Sequence, residues 1–206
     1  YLEDFSYFIN ALLDVFEIEP EPKYLKLALK LGHHLVVHFW DSENNSFFMT
    51  SDDHEKLIVR PKSNYDLSLP SGNSVSAFVM LRLYHLSQEQ NFLEIVTKIL
   101  ESQAQMAAEN PFGFGYLLNT ISIYLQKPVE ITIINTENSE ICKSLLTNYL
   151  PNSFIVTIQN STQLENLSEF PFFAGKTFEE KTSVFVCKDF SCSLPLHTID
   201  EINSHL

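Results

Sequence analysis

The 206 residues carry 26 acidic against 13 basic side chains, a net charge of −13, with 45% of residues hydrophobic and 19% charged. That mixture belongs to a folded chain with a sizeable core, arranged as one large domain or two small ones, and excludes a disordered one. No basic patch survives such a balance, which argues against nucleic acid or an anionic membrane as partner. Phe alone supplies 17 residues, which points to thick buried layers. No apolar run reaches the length of about 18 residues that a membrane span needs. The 3 cysteines set neither a disulfide framework nor a zinc pattern of paired CxxC motifs. The chain opens at Tyr1 inside a helical pattern, without Met or a signal peptide. It reads as an intracellular, cytoplasmic piece of a longer protein.

Helices come first. Leu2, Phe5, Ile9, Leu12, Leu13 and Phe16 recur at helical spacing, with Ser6, Asn10, Asp14 and Glu17 as a polar stripe. Pro20 and Pro22 end that helix. A second follows over Lys23 to Phe39, with Tyr24, Leu27, Leu31 and Leu35 on one face. The stretch from Trp40 to Pro70 is long for a connection, and such loops are commonly functional. In it Phe47–Thr50 reads as a short strand with Leu57–Arg60 as its partner. Ser71 or Asn73 then caps a third helix. From Val75 to Leu86 this helix is apolar nearly all round, so it should be buried on every side. A fourth, Asn91 to Ala108, is amphipathic, and a fifth runs from Gly113 to Gln126. An enclosed helix followed by an amphipathic one fits two concentric helical layers.

The period changes after Lys127-Pro128. Strands are expected at Val129–Ile134, Phe154–Ile158 and Val184–Cys187. Helices are expected at Glu140–Leu150, near Gln163–Glu169 and from Thr198 on. Alternating strands and helices predict a small parallel α/β unit with right-handed crossovers. The fold class is therefore mainly α: helical hairpins over 1–127, then a small parallel α/β unit over 128–206. No Gly-rich phosphate loop follows any strand, and no cofactor is implied.

Three stretches carry a resemblance: Tyr1-Leu2-Glu3-Asp4-Phe5; Leu57-Ile58-Val59-Arg60-Pro61-Lys62-Ser63-Asn64-Tyr65-Asp66 with Pro70-Ser71-Gly72-Asn73-Ser74; and Cys187-x4-Cys192-x2-Pro195. Together they resemble the C-terminal third of the spermatogenesis-associated, thioredoxin-domain-containing family. That resemblance implies an N-terminal thioredoxin-like domain followed by a six-hairpin (α/α) toroid related to the N-acylglucosamine 2-epimerases. It also implies that the toroid remainder and the thioredoxin-like domain, absent from this sequence, are this chain's partners.

Candidate residues follow, each with a plain structural alternative. Glu3 and Asp4 open the first helix; they either answer its dipole or stand at a toroid mouth, where related toroids keep catalytic and hydroxyl-binding carboxylates. Arg60, Lys62, Tyr65 and Asp66 form either a binding rim or, through an Arg60–Asp66 pair, an internal pin. Ser71 and Asn73 are caps or ligand hydrogen-bond partners. Asp4 and Asp66 are the catalytic candidates; Glu3, Arg60, Lys62, Tyr65, Ser71 and Asn73 are the substrate-binding ones. Asp4, Arg60, Asp66 and Asn73 are expected to gather on one rim. A buried Arg82 would need a partner such as Asp14 or Glu17. His33, His34 and His38 lack the glutamate and third ligand of a zinc helix, so no metal site is assigned. Cys187 and Cys192 are structural thiols, a redox pair or metal ligands, and Cys142 belongs to the core. Two functions result. One is a carbohydrate-active or sugar-binding toroid segment, with a sugar-like ligand; the other is a non-catalytic scaffold for a thioredoxin-like redox domain.

Overall fold

The computed structural model describes residues 1–55, 58–135 and 139–206. The chain divides into two compact units, Tyr1–Leu13 with Leu25–Tyr124, and Asp14–Tyr24 with Leu125–Leu206. The fold is mainly α with a small α/β unit, as the sequence reads.

In the first unit lie most of α1 (Leu2–Ile18) and α2 (Pro22–His38), then α3 (Gly72–Ser87), α4 (Gln90–Glu109) and α5 (Gly115–Gln126). Pro22 opens α2 at its first position, where the missing N–H would be unpaired anyway. Ser71 is the α3 cap: its hydroxyl accepts from the Ser74 N–H at 3.1 Å. Val79, Leu81 and Leu83 of α3 are wholly buried, while Phe78 is half-buried with its ring edge-on to Tyr116 at 5.5 Å. Arg82, also buried, donates to the Asn10 side-chain oxygen at 2.9 Å. A helix apolar all round thus ends up covered all round, because no face of it can be turned to water without exposing carbon.

Gly32 of α2 packs against Leu83 of α3 and Phe92 of α4. A Cβ there would lie 2.6 Å from Leu83 Cδ1 and 3.3 Å from Phe92 Cε1. Alanine gains up to about 1 kcal/mol of helix propensity over glycine, but overpacking a filled core costs about 1–3 kcal/mol. Gly32→Ala is therefore expected to lower the urea midpoint. A midpoint equal to or above the parent's would mean that Leu83 and Phe92 have room to yield.

The long connection differs from its expected pairing. Ser46–Phe47 (β2) pairs antiparallel with Trp40–Asp41 (β1), and Leu57–Arg60 is not the partner. Leu57 lies outside the described residues, and Ile58, Val59 and Arg60 form no strand. Closure of the nearer turn is entropically cheaper. It is also held by the Asp41 carboxylate, which accepts from the Glu43 N–H at 2.9 Å and the Asn44 side-chain amide at 2.8 Å.

The second unit holds β3 (Val129–Ile134), α6 (Ser139–Thr147), β4 (Ser153–Ile158), α7 (Ser161–Asn166), β5 (Ser183–Lys188), β6 (Ser191–Cys192) and α8 (Ile199–Asn203). The sheet order is β4-β3-β5-β6. β3 and β4 run parallel, Ile131 opposite Ile155. The expectation of an all-parallel unit fails at the third strand, since β5 lies antiparallel to β3, Ile131 opposite Val186. Asn135, just past the end of β3, holds the chain that enters β5, its side-chain amide donating to the carbonyls of Glu179 at 3.2 Å and Glu180 at 2.6 Å. β5 therefore begins at the end of the sheet where β3 and β4 finish, Ser183 opposite Ile134, and runs back. Ile131, Ile133, Val184 and Val186 pack with Ile141, Leu145 and Ile202 on one face, with Ile155 partly buried against them. Phe154, Val156, Ile158 and Phe185 are buried on the other.

Candidate functional site

The segment before α3 is pinned by side chains at the candidate positions. Asn73 is wholly buried; its Oδ1 accepts from the Phe47 N–H at 2.6 Å, and its Nδ2 donates to the carbonyls of Phe47 and Ser63, both at 3.0 Å. Asp66 accepts on one oxygen from the Ser71 N–H and on the other from the Tyr116 N–H, each at 2.8 Å. It thereby ties the cap of α3 to the first turn of α5, where a carboxylate is favoured by unpaired amides. Arg60 does not pair with Asp66. Its guanidinium donates to the carbonyls of His38, at 3.0 Å, and Thr50, and lies over the Phe48 ring at 4.1 Å. The Lys62 ammonium contacts the same ring at 4.6 Å and pairs with Asp41.

Lys62, then the Asn44 side-chain amide, hold the Asp41 carboxyl well below the usual carboxylate range. A depressed folded value means stabilisation that is complete above the unfolded value, about 4, and is lost as pH falls below it. Asp41→Asn should therefore be less stable than the parent at pH 7, with the gap shrinking between pH 4 and 2 in urea titrations. A gap independent of pH would show that the pair carries no linkage.

Glu3 and Asp4 line a cleft of about 110 Å³ in the same unit, with Tyr1, Leu2, Met49, Ser63 and Gly72. The fold brings the starts of α1 and α3 together there. A Cβ on Gly72 would lie 2.9 Å from Leu2 Cδ2 and 3.1 Å from Glu3 Cγ, so any other residue there would force the Leu2 and Glu3 side chains to shift. Both acids are exposed; Asp4 faces the Tyr1 amino group at 3.2 Å. Sequence reasoning missed Tyr7. Its hydroxyl donates to the Pro70 carbonyl at 2.9 Å, and burial, then the charges of Glu3 and Asp66, push its phenol up. The helical spacing from Glu3 to Tyr7 was the available signal. Tyr65 is half exposed with its ring 5.1 Å from that of Phe114, and Phe112 projects fully into solvent.

His34 and His38 share a helix face with ring centroids 4.5 Å apart, while the three histidines take different partners. His33 contacts Glu89 at 2.6 Å, while His34 stacks on Phe5 at 4.9 Å. His38 contacts Asp52 at 2.7 Å, and with Asp53 these form an exposed group whose ligand atoms lie within 4.8 Å of one another. No spacing in the sequence announces that group, because the turn that returns Asp52 to the end of α2 is tertiary. Cys187 and Cys192 are joined in a disulfide rather than standing as separate thiols. Burial pushes the Cys142 thiol up, and its side chain packs against the sheet core.

No family model matches the chain. It is 25% identical over 202 residues to spermatogenesis-associated protein 20 of Homo sapiens, an alignment that takes in 95% of this chain and 26% of the human protein. The chain resembles part of that protein. The Mus musculus counterpart matches at the same identity and coverage. An uncharacterized protein of Caenorhabditis elegans is 23% identical over 204 residues, 97% of this chain and 27% of the relative. The chain thus spans about a quarter of the length of these relatives. No helix among the described residues is long and apolar enough to cross a membrane.

Proposed function

We propose that this chain is a sugar-binding segment of a longer protein of the spermatogenesis-associated, thioredoxin-domain-containing type, and that its helices form part of an (α/α) toroid. The observation that carries the reading is the meeting of Glu3 and Asp4 with Ser63 and Gly72 where α1 and α3 begin. Carboxylates with spare acceptor capacity beside helix N–H groups suit sugar hydroxyls and proton transfer. Glu3 and Asp4 are the acids left for that work, since both oxygens of Asp66 are engaged by backbone amides. A cleft of about 110 Å³ is smaller than the range of about 300–1,000 Å³ for small-molecule pockets. The remaining wall is assigned to parts of the longer protein beyond this chain.

A second reading, a non-catalytic scaffold for a thioredoxin-like domain, draws on a different observation. Arg60, Lys62, Asp66 and Asn73 all direct polar atoms at the chain itself. Saturation-transfer NMR of the full-length protein with N-acetylhexosamines and neutral hexoses separates the two. The sugar-binding reading expects binding that Glu3→Gln and Asp4→Asn weaken at least tenfold with the fold kept. No binding by the parent protein, or binding indifferent to both variants, would leave the scaffold.

A further inference from the structure

The β5–β6 hairpin sets Cys187 and Cys192 directly opposite each other, Cα atoms 3.9 Å apart and sulfurs bonded. Its two turn residues, Asp189 and Phe190, both sit in the left-handed region, at φ 50° and 60°. That is the backbone of a tight hairpin turn usually made with glycine, and it is unfavourable for a side chain such as Phe. The disulfide thus closes a hairpin that its own turn disfavours.

The two sulfurs are not equivalent. Cys187 is wholly buried and Cys192 is exposed. Lys176, itself buried, donates to Cys192 Sγ at 3.8 Å and to the Phe172 carbonyl. Burial lowers its ammonium to about 8, opposed by the charge of Glu130, so it stays largely protonated at neutral pH. Glu130 lies opposite Cys187 in the β3–β5 register. The other charges on the hairpin are directed elsewhere, Lys188 to the Leu206 carbonyl and Asp189 to Lys127. Cys192, being exposed, is open to a ligand, and Lys176 also lines a cleft of about 550 Å³ with Phe173 and Thr177. A cation beside a sulfur favours the thiolate, the form that attacks disulfides.

We propose that Cys187 and Cys192 form a thiol–disulfide exchange site, with Cys192 as nucleophile beside Lys176 and Cys187 as resolving thiol, acting on disulfides of low-molecular-weight thiols. From the reduced pair, the Cys192 thiolate attacks one sulfur of RS–SR, forming a mixed disulfide as RS⁻ leaves. The Cys187 thiolate then attacks Cys192 Sγ, the mixed bond breaks, and the second RS⁻ leaves. The two cysteine protons end on the two RSH products. Two electrons pass to RS–SR, and the disulfide seen in the structure is the oxidised end state. This site is independent of the reading of the helical unit.

The test uses the Cys142→Ala chain, reduced, freed of reductant and exposed to oxidised glutathione. Two glutathione thiols should be released per chain as the internal disulfide forms. Cys187→Ser should accumulate a mixed disulfide at Cys192, and Cys192→Ser should react at Cys187 at least tenfold more slowly. Iodoacetamide alkylation of Cys192 in the Cys187→Ser chain should titrate below the ordinary thiol value of about 8.5. Lys176→Gln should make it about tenfold slower at pH 7, and Lys176→Arg should keep it fast. Equal rates at the two cysteines, or no internal disulfide, would overturn the proposal, as would a profile indifferent to a folded Lys176→Gln chain. Circular dichroism checks each fold first; if Lys176→Gln unfolds, the comparison of the two cysteines decides alone.

Discussion

Asn73→Ala is expected to cost about 3–5 kcal/mol of stability, read as a fall in the urea midpoint at unchanged slope. Three hydrogen bonds end on this one side chain, and they reach Phe47 and Ser63 in two segments otherwise far apart in sequence. Phe47 is wholly buried, so its N–H and C=O gain no water when the amide is removed, and those two unmade bonds cost their full desolvation. A hydrogen bond left satisfied on both sides is worth only about 1 kcal/mol; the loss is large here because the orphaned groups are enclosed. Asn73→Asp should be nearly as damaging, since a carboxylate can accept from Phe47 N–H but cannot donate to either carbonyl. A loss below about 1 kcal/mol for the alanine variant would mean that water reaches the site and that the 48–70 segment is not held by Asn73.

Asp66→Ala is expected to cost about 2–4 kcal/mol, with Asp66→Asn intermediate, because hydrogen bonds to a charged acceptor run about 1.5–3 kcal/mol each and this carboxyl is half-buried. Each oxygen serves one amide, Ser71 N–H and Tyr116 N–H, and an asparagine can turn only its single oxygen to one of them. The same pair of variants bears on function. Were Asp66 a catalytic acid or base, Asp66→Asn would keep its thermal midpoint and lose turnover. The arrangement here predicts instead a lowered midpoint in the isolated chain, where no substrate is involved. An Asp66→Asn chain as stable as the parent would reopen the catalytic role.

Helix existence was legible from the sequence because it depends on local periodicity and on proline. The all-round apolar stretch of Val75–Leu86 announced an enclosed α3, and the alternation of strands with helices announced β3 and β4 as parallel neighbours. The direction of β5 was not legible, since it turned on where Asn135, past the end of β3, receives the returning chain rather than on any property of Ser183–Lys188. The same division applies to the candidate site. Sequence marked Glu3, Asp4, Arg60, Asp66 and Asn73 as polar groups in an aromatic-rich loop and at helix starts, but a carboxylate or amide reads alike whether it waits for a ligand or holds a backbone. Only the tertiary structure assigned partners. It spent Asp66 and Asn73 on amides and carbonyls of distant segments, turned Arg60 to His38 and Thr50, and left Glu3 and Asp4 at a glycine-permitted meeting of two helices. Lys176 shows the limit most plainly. Nothing in its sequence neighbourhood distinguishes it from other lysines, and its proximity to Cys192 exists only because the β5–β6 hairpin folds back upon it. Hydrophobic period is a local signal that one strand or helix carries alone; hydrogen-bond and charge partnership is a relation between segments, decided when they meet.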